Sequence, residues 1–172
     1  MLSEAINFMA QITLPRTGIL AFMDDESREL FASYGQIKTT TPGEVLIREG
    51  DSNLNLYVVL SGSFNVSTMV TGKSVYLDVV KAGDCLGEVA VFQPGVTSAT
   101  VVSEGEGTLW HIDVEHLQQF LLEWPHAGCA AVLGINTILS RRLKRANGVI
   151  RANQILPTFL SVRSKKRVEN LS

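Results

Sequence analysis

Three patterns of hydrophobic and polar positions follow one another along this chain. In its middle, between Thr39 and Asp113, short runs of valine, leucine and aromatic residues are separated by turns that contain glycine. The runs at 56–60 and 75–80 are apolar at almost every position, which is typical of strands covered on both faces. Closely spaced short strands with glycine turns favour a sandwich or barrel. We therefore predict a closed antiparallel roll with an inner pocket and helices over part of its outer face.

Helical spacing replaces the strand pattern on both sides of the roll. Residues 24–31 combine an acidic first turn with an amphipathic pattern, which predicts a short helix. A second short helix is predicted over 114–122, ending before Pro125 because the residue preceding proline avoids helical conformation. A long helix should then run from His126 to about Ile155. The predicted segments are an N-terminal helical segment over 1–38, the roll over 39–113, C-terminal helices over 114–156 and a basic tail over 157–172.

The long helix carries two neighbouring apolar stripes at spacings of three and four. A helix with two apolar faces needs two partners. We expect one face to cover the roll and the other to pair with the same helix of a second subunit, giving a symmetric homodimer. The alternative is a single broad core face within one chain. The residues predicted at the subunit interface are Val132, Ile135, Leu139 and Ala146.

Composition is that of an ordinary globular protein, with 45% hydrophobic and 19% charged residues among 172. No apolar run approaches the ~20 residues that a bilayer requires. The N-terminus lacks the basic and apolar regions of a signal peptide. We expect a cytoplasmic protein without a membrane partner. Two cysteines, Cys85 and Cys129, are too few for a disulfide framework or a cysteine-ligated metal centre, so both are predicted to be core residues.

Charge is distributed unevenly along the chain, whose net charge is −2. Residues 125–172 contain nine Lys and Arg against one acidic residue, whereas the remainder contains six against sixteen. A basic arm could contact an acidic protein partner or nucleic acid, but a solvated helix face and tail are the favoured explanation. Because the cluster at 163–167 has no interleaved aromatic residue, nucleic-acid binding is not expected.

The chemistry of the chain is concentrated in residues 87–101. Gly87 frees the backbone to approach a ligand, Glu88 adds a carboxylate, and small residues follow at the start of a predicted one-turn helix. Such a turn attracts an anion, because its unpaired amides and the positive end of its dipole converge on one point.

This segment resembles the phosphate-binding cassette of the cyclic nucleotide-binding domain, found in catabolite activator proteins and kinase regulatory subunits. The stretches at 42–51, 56–63 and 82–88 are also similar to that family, and the resemblance extends from about Leu20 to Leu156. It implies a mainly β fold with flanking helices: an antiparallel, jelly-roll-like β-roll plus a long C-terminal helix. It also implies a non-enzymatic sensor without a cofactor, whose ligand is cAMP, cGMP or a related small anion.

The resemblance further assigns roles to individual residues. Glu88 would accept a hydrogen bond from the ribose 2′-hydroxyl, the amides of Val89 and Ala90 would face the cyclic phosphate, and Ser98 would reach the same phosphate. The alternative interpretation is that Glu88 only caps the short helix and Ser98 only satisfies its own strand end. The expected pocket wall comprises Leu86, Phe64 and Val79. The complete predicted ligand-binding set is Leu86, Gly87, Glu88, Val89, Ala90, Thr97, Ser98, Ala146 and Asn147, the last two lying over the purine.

One position departs from the family pattern. Members that bind cyclic nucleotides usually have an arginine where this chain has Thr97. A charge-assisted hydrogen bond is worth about 1.5–3 kcal/mol against about 0.5–1.5 for a neutral one. The substitution should weaken binding by roughly ten- to a hundredfold or more. Three interpretations stay open: a weaker cyclic-nucleotide site, a pocket adapted to another ligand, or an empty scaffold that acts as a dimerisation or docking module.

The sequence fits two other function classes, a DNA-binding regulator and a metal enzyme, less well than a sensor. Only residues 157–172 follow the long helix, too few for a helix-turn-helix, so signalling is expected through the dimer or a protein partner. A cupin-like metal enzyme would need histidines clustered inside the roll. His111, His116 and His126 instead lie at its end and on the helices after it, and no catalytic triad or P-loop is recognisable.

Overall fold

The computed structural model of this chain describes residues 12–93 and 95–169, with side chains except at Ala90, Val91 and 149–169. A short 3-10 helix, Gly18–Leu20, comes first. The other elements are α1 Asp25–Ser33, β1 Gln36–Thr40, β2 Val45–Ile47, β3 Asn55–Ser61, β4 Ser63–Val70, β5 Lys73–Lys81, β6 Cys85–Leu86, α2 Glu88–Phe92, β7 Thr100–Ser103, β8 Gly107–Asp113, α3 Val114–Glu123 and α4 Pro125–Glu169.

The described strands form two antiparallel four-stranded sheets. Their orders are β1-β8-β3-β6 and β2-β7-β4-β5. Within the first sheet β8 pairs with β1 on one side and with β3 on the other. Strands that are remote in sequence thus lie side by side, as in a roll. The predicted fold class, a β-roll with flanking helices and a long C-terminal helix, is confirmed.

The core of the roll lies between the two sheets. Its buried side chains are Ile47, Tyr57, Val59, Phe64, Val80, Leu86, Val101 and Leu109. Successive residues of a strand face opposite sides, so the neighbours of Tyr57 and Leu109 face away from this core. Burial of each larger apolar side chain contributes about 1.5–3 kcal/mol to stability.

Helices cover the opposite face of the first sheet. Trp110 of β8 packs against Phe31 of α1 with ring centroids 4.7 Å apart, and its indole Nε1 donates a hydrogen bond of 3.0 Å to the carbonyl of Ala32. Phe120 of α3 completes this cluster, with its ring centroid 4.8 Å from that of Phe31. Strand β3 is therefore buried on both faces, as the apolar run at 56–60 predicts.

The other apolar run, at 75–80, behaves differently, and the prediction that it is covered on both faces is wrong. It belongs to β5, the edge strand of the second sheet. Val75, Tyr76 and Leu77 are exposed, and only Val80 of this run is buried. A strand at the edge of a sheet has a neighbouring strand on one side only. In β5 the one buried residue of the run, Val80, lies near the end of the strand.

Helix α4 extends beyond the end at Ile155 that the proline-free stretch predicts, and it includes Pro157. A proline removes one helix hydrogen bond and disfavours a helix interior without forbidding it. The chain divides into two compact units, Met1–Asn136 and Thr137–Ser172, so α4 contributes to both.

The buried stripe of α4 corrects part of the predicted subunit interface. Ile135 is only 2% exposed within the single chain, and Ala131 and Ile138 are also buried. Ile135 is therefore a core residue of its own chain and is not available to a second subunit. Val132 and Leu133 are exposed on the same helix.

Two further observations concern the composition. Cys85 is buried as predicted, but Cys129 is exposed, so its assignment to the core was wrong. No helix in the described part of the chain is long and apolar enough to cross a membrane.

Candidate functional site

The candidate site begins where β6 ends. Strand β6 pairs with β3, with Leu86 opposite Tyr57, and Leu86 is buried in the core of the roll. Gly87 then adopts a left-handed conformation with φ of 79°, and α2 starts at the next residue. The short helix predicted at 87–91 is thus present as α2, and its first amides lie directly after a sharp turn.

Glu88 is the first residue of α2, and it is buried, with 4% of its surface exposed. A carboxylate at a helix N-terminus interacts favourably with the helix dipole. Burial of a charge is costly unless polar partners compensate it. Glu88 is therefore removed from solvent at the start of α2, unlike an ordinary surface carboxylate.

Gly87 is packed closely against the start of β3. A Cβ atom at this position would lie 2.2 Å from the carbonyl oxygen of Asn55 and 2.6 Å from Nδ2 of Asn53. The position therefore requires glycine for two reasons, the positive φ and the lack of space.

Asn53 was missed by sequence reasoning. Its side chain is buried, donates a hydrogen bond of 2.7 Å from Nδ2 to the carbonyl of Asn55, and accepts one of 3.3 Å from the Asn55 amide at Oδ1. In turns, the asparagine side chain commonly forms a hydrogen bond with the backbone two residues ahead. This tendency is the signal in the sequence that could have indicated a structural role for Asn53. What the sequence does not contain is the proximity of Gly87.

Thr97 lies in the loop after α2 and is tied to the turn that follows β2. Its amide donates to the carbonyl of Asp51 at 2.9 Å, and its carbonyl accepts from the Gly50 amide at 2.9 Å. Its hydroxyl donates to the carbonyl of Arg48 at 2.5 Å. The threonine side chain is therefore used within the protein, as a link between two loops.

The remaining predicted residues lie in different surroundings. Ser98 and Val89 are exposed, Phe64 is buried, Val79 is half-buried, and the side chain of Ala90 is outside the described part of the structure. Ala146 and Asn147 are exposed residues of α4 in the second unit. Their roles stay predictions.

Two of the histidines, His111 and His116, lie at the end of β8 and in the first turn of α3. His111 stacks beside Tyr57 with ring centroids 5.8 Å apart, and its Nδ1 is buried without a hydrogen-bond partner among the described residues. Burial lowers the pKa of His111 and the charge of Lys38 lowers it further, whereas Asp113 opposes them. His116 pairs through Nδ1 with Asp113 at 2.7 Å. No group of three metal-ligating side chains was found among the residues that the structure describes.

Known proteins share this architecture. A crystal structure of a cyclic nucleotide-binding domain from Methylobacillus flagellatus KT superposes with a TM-score of 0.73 at 22% identity, covering 76% of this chain and 74% of that one. The N-terminal domain of a transcriptional regulator from Streptomyces coelicolor A3(2) gives a TM-score of 0.64 at 29% identity, covering 78% and 92% of the two chains.

Sequence relatives agree with the structural ones. The CRP-like cAMP-activated global transcriptional regulator of Mycobacterium tuberculosis is 24% identical over 137 residues, which represent 78% of this chain and 58% of the regulator. The chain thus spans little more than half the length of that relative. The family model described as cyclic nucleotide-binding domain matches residues 37–123, from β1 to the end of α3. The chain therefore belongs to the cyclic nucleotide-binding domain family.

Proposed function

We propose that this chain is a non-enzymatic sensor that binds a cyclic nucleotide, or a related small anion, at the turn formed by Gly87 and α2. The observation that carries the proposal is the left-handed Gly87 followed at once by the buried Glu88. This arrangement places a carboxylate beside the first amides of a helix, which suits a ligand that carries both a hydroxyl and a phosphate. The name of the mycobacterial regulator supports cAMP as the first candidate, with cGMP as the second.

We further propose that the affinity is low, because of Thr97. The Thr97 hydroxyl donates to the carbonyl of Arg48, so neither a charge nor this donor is offered to a phosphate. Neutral amides must then supply the binding free energy, at about half the strength of a charge-assisted pair. Ser98, which is exposed in the same loop, is the proposed additional donor.

A second candidate function is a docking or dimerisation module with a ligand site that has been lost. The exposed apolar neighbours Val132 and Leu133 of α4 favour it, because contiguous exposed apolar side chains typically mark a partner surface. The two proposals are compatible if a ligand shifts the position of α4, since it would do so by binding one state more tightly.

Calorimetry and thermal unfolding with cAMP, cGMP and 5′-AMP test the sensor. We expect saturable binding of at least one cyclic nucleotide, with the linear 5′-AMP as the matched control that keeps purine, ribose and phosphate. A ligand at 100 times its dissociation constant stabilises the native state by about 2.7 kcal/mol, which is easily measured. Glu88→Gln should weaken binding, because it removes the charged acceptor for the ribose hydroxyl. Absence of stabilisation by either cyclic nucleotide at millimolar concentration would leave the docking module as the better proposal.

A further inference from the structure

We infer that Asn53 is a positioning residue for the candidate ligand site, an inference that rests on the proposed function. Asn53 lies in the loop between β2 and β3, outside the cassette, and the resemblance to the family assigned it no role. It is only 9% exposed, and the other buried polar residues among those described are Thr40, Glu88 and Ser103. Thr40 and Ser103 bond to each other at 3.1 Å in a different part of the fold. Of the two remaining buried polar residues, Glu88 begins α2, and Asn53 lies against the preceding residue, Gly87.

The amide group of Asn53 is fixed from both ends. Nδ2 donates to the Asn55 carbonyl at 2.7 Å, and Oδ1 accepts from the Asn55 amide at 3.3 Å. A side chain held by two hydrogen bonds to one backbone residue has lost its rotational freedom. Asn53 and Asn55 therefore form one rigid unit at the entrance to β3.

Gly87 rests against this rigid unit. The two atoms closest to the place of its missing side chain are the Asn55 carbonyl oxygen and Nδ2 of Asn53, which are also the acceptor and donor of the 2.7 Å hydrogen bond. The position of the Asn53 amide thus limits how far the backbone of Gly87 can move toward β3. Because the peptide after Gly87 carries the Glu88 amide, this contact determines where the first amides of α2 point.

The inference makes Asn53 an indirect contributor to binding, acting through the backbone of Gly87. Asn53→Ala removes both hydrogen bonds and the contact. Asn53→Asp keeps the shape and the acceptor but replaces the Nδ2 donor by an oxygen facing the Asn55 carbonyl, which repels it. Ser52→Ala is the matched control, since Ser52 is the exposed neighbour in the same loop.

The test compares backbone amides by ¹⁵N NMR in the intact, ligand-free chain. We expect Asn53→Ala and Asn53→Asp to shift the amide resonances of Gly87, Glu88 and Val89 and to lower their backbone order parameters from about 0.85, the value of rigid backbone, toward about 0.6. The order parameters of the β4–β5 hairpin should be unchanged, as should the resonances of Gly87, Glu88 and Val89 in Ser52→Ala. If Asn53→Ala unfolds, the isosteric Asn53→Asp decides alone. Cassette amides that behave as in Ser52→Ala, or that change only together with the entire roll, overturn the inference.

A binding measurement then separates this inference from the proposed function. If the wild type binds cAMP, both Asn53 variants should weaken it by about tenfold, whereas Ser52→Ala should bind like the wild type. Unchanged affinity in the Asn53 variants would overturn the positioning role even though the site is real. A wild type that does not bind cAMP or cGMP would refute the proposed function, and the NMR experiment on the ligand-free chain would still decide whether Asn53 positions Gly87.

Discussion

Thr97 donates its hydroxyl hydrogen bond to the Arg48 carbonyl, while its backbone is bonded to both Gly50 and Asp51. At the scale of single residues, this means that position 97 is anchored mainly through its main chain. The side chain can be exchanged at the cost of one hydrogen bond, worth about 0.5–1.5 kcal/mol. Gly87 is the opposite case, because its backbone angle and its contact with Asn55 exclude every other residue. Substitution of Thr97 can therefore change the ligand affinity while the fold is kept, whereas substitution of Gly87 would disrupt the turn.

The first prediction is that Thr97→Arg tightens cyclic-nucleotide binding. The backbone bonds to Gly50 and Asp51 should hold position 97 in place, and a guanidinium there can form a charge-assisted pair with the phosphate. We expect a gain of about ten- to a hundredfold in calorimetric affinity. Thr97→Val is the control, because it removes the same hydroxyl and adds no charge. A folded arginine variant with no gain over valine would mean that the pocket serves another ligand or is closed.

The second prediction concerns His111 and pH. Burial and the Lys38 charge lower its pKa from the ordinary value of 6.5, so the unfolded chain binds a proton that the native chain releases. Stability rises with pH where the unfolded state holds more protons. The free energy of unfolding should therefore fall as the pH is lowered through about 6.5 and below. His111→Gln should flatten this part of the profile in urea titrations from pH 5 to 8. An identical slope in both proteins would contradict the assignment.

At the scale of elements, α4 shows why a helix tolerates glycine in some places and requires it in others. Both Gly134 and Gly148 lie within α4, where glycine lowers helix stability by about 1 kcal/mol relative to alanine. A Cβ at Gly134 would be 2.0 Å from the backbone oxygen of Ile19, which belongs to the 3-10 helix Gly18–Leu20. Nothing lies within 4 Å of the corresponding Cβ position at Gly148. Close packing against Ile19 explains why residue 134 is glycine. Packing does not explain the glycine at 148.

The third prediction follows from this pair. Gly134→Ala should destabilise the protein by about 1–3 kcal/mol despite the better helix propensity of alanine. The added methyl group would clash with the Ile19 backbone, and relief of the clash requires α4 to move. Gly148→Ala serves as the matched control and should be neutral or stabilising by up to about 1 kcal/mol. Chemical denaturation of the two variants measures both. Equal effects would show that helix propensity dominates at both positions.

At the scale of the whole molecule, the exposed apolar residues of α4 bear on the predicted homodimer. Leu143 is 63% exposed, and Val132 and Leu133 are exposed on the same helix. Because Ile135 is buried within its own chain, the predicted interface keeps the exposed Val132 and Ala146 and the half-buried Leu139. Leu143 lies one helical turn beyond Leu139 in the second unit. Homodimerisation through α4 stays a prediction in this revised form.

The fourth prediction is that Leu143→Asp separates the dimer and leaves the roll folded. In a symmetric interface the substitution places two carboxylates where apolar side chains meet, and desolvation of each is costly. Leu122→Asp is a suitable control, since Leu122 is an even more exposed leucine and lies on α3. Sedimentation at micromolar concentration should give a dimer for the wild type and the control and a monomer for Leu143→Asp. A monomeric wild type, or a dimeric Leu143→Asp variant, would refute signalling through an α4 dimer.

The sequence by itself was sufficient for those features that depend on near neighbours. The glycine-separated runs predicted the strands, and the Gly-Glu pair with small residues after it predicted the turn and α2, because backbone angles and helix starts are decided within a few residues. The resemblance of 42–51, 56–63 and 82–88 to the family was enough for the fold class, since it combines several such local signals in one order.

Only the tertiary structure decided which residues meet across large separations. It joined Thr97 to Arg48, Gly87 to Asn53 and Gly134 to Ile19, and none of these contacts leaves a periodic signal in the sequence. It also placed β5 at a sheet edge and Ile135 in the core, where hydrophobicity alone predicted a covered strand and a subunit contact. The physical reason is that an apolar residue records a preference for burial but does not specify the surface that covers it. That surface is determined by how the two sheets and the helices pack.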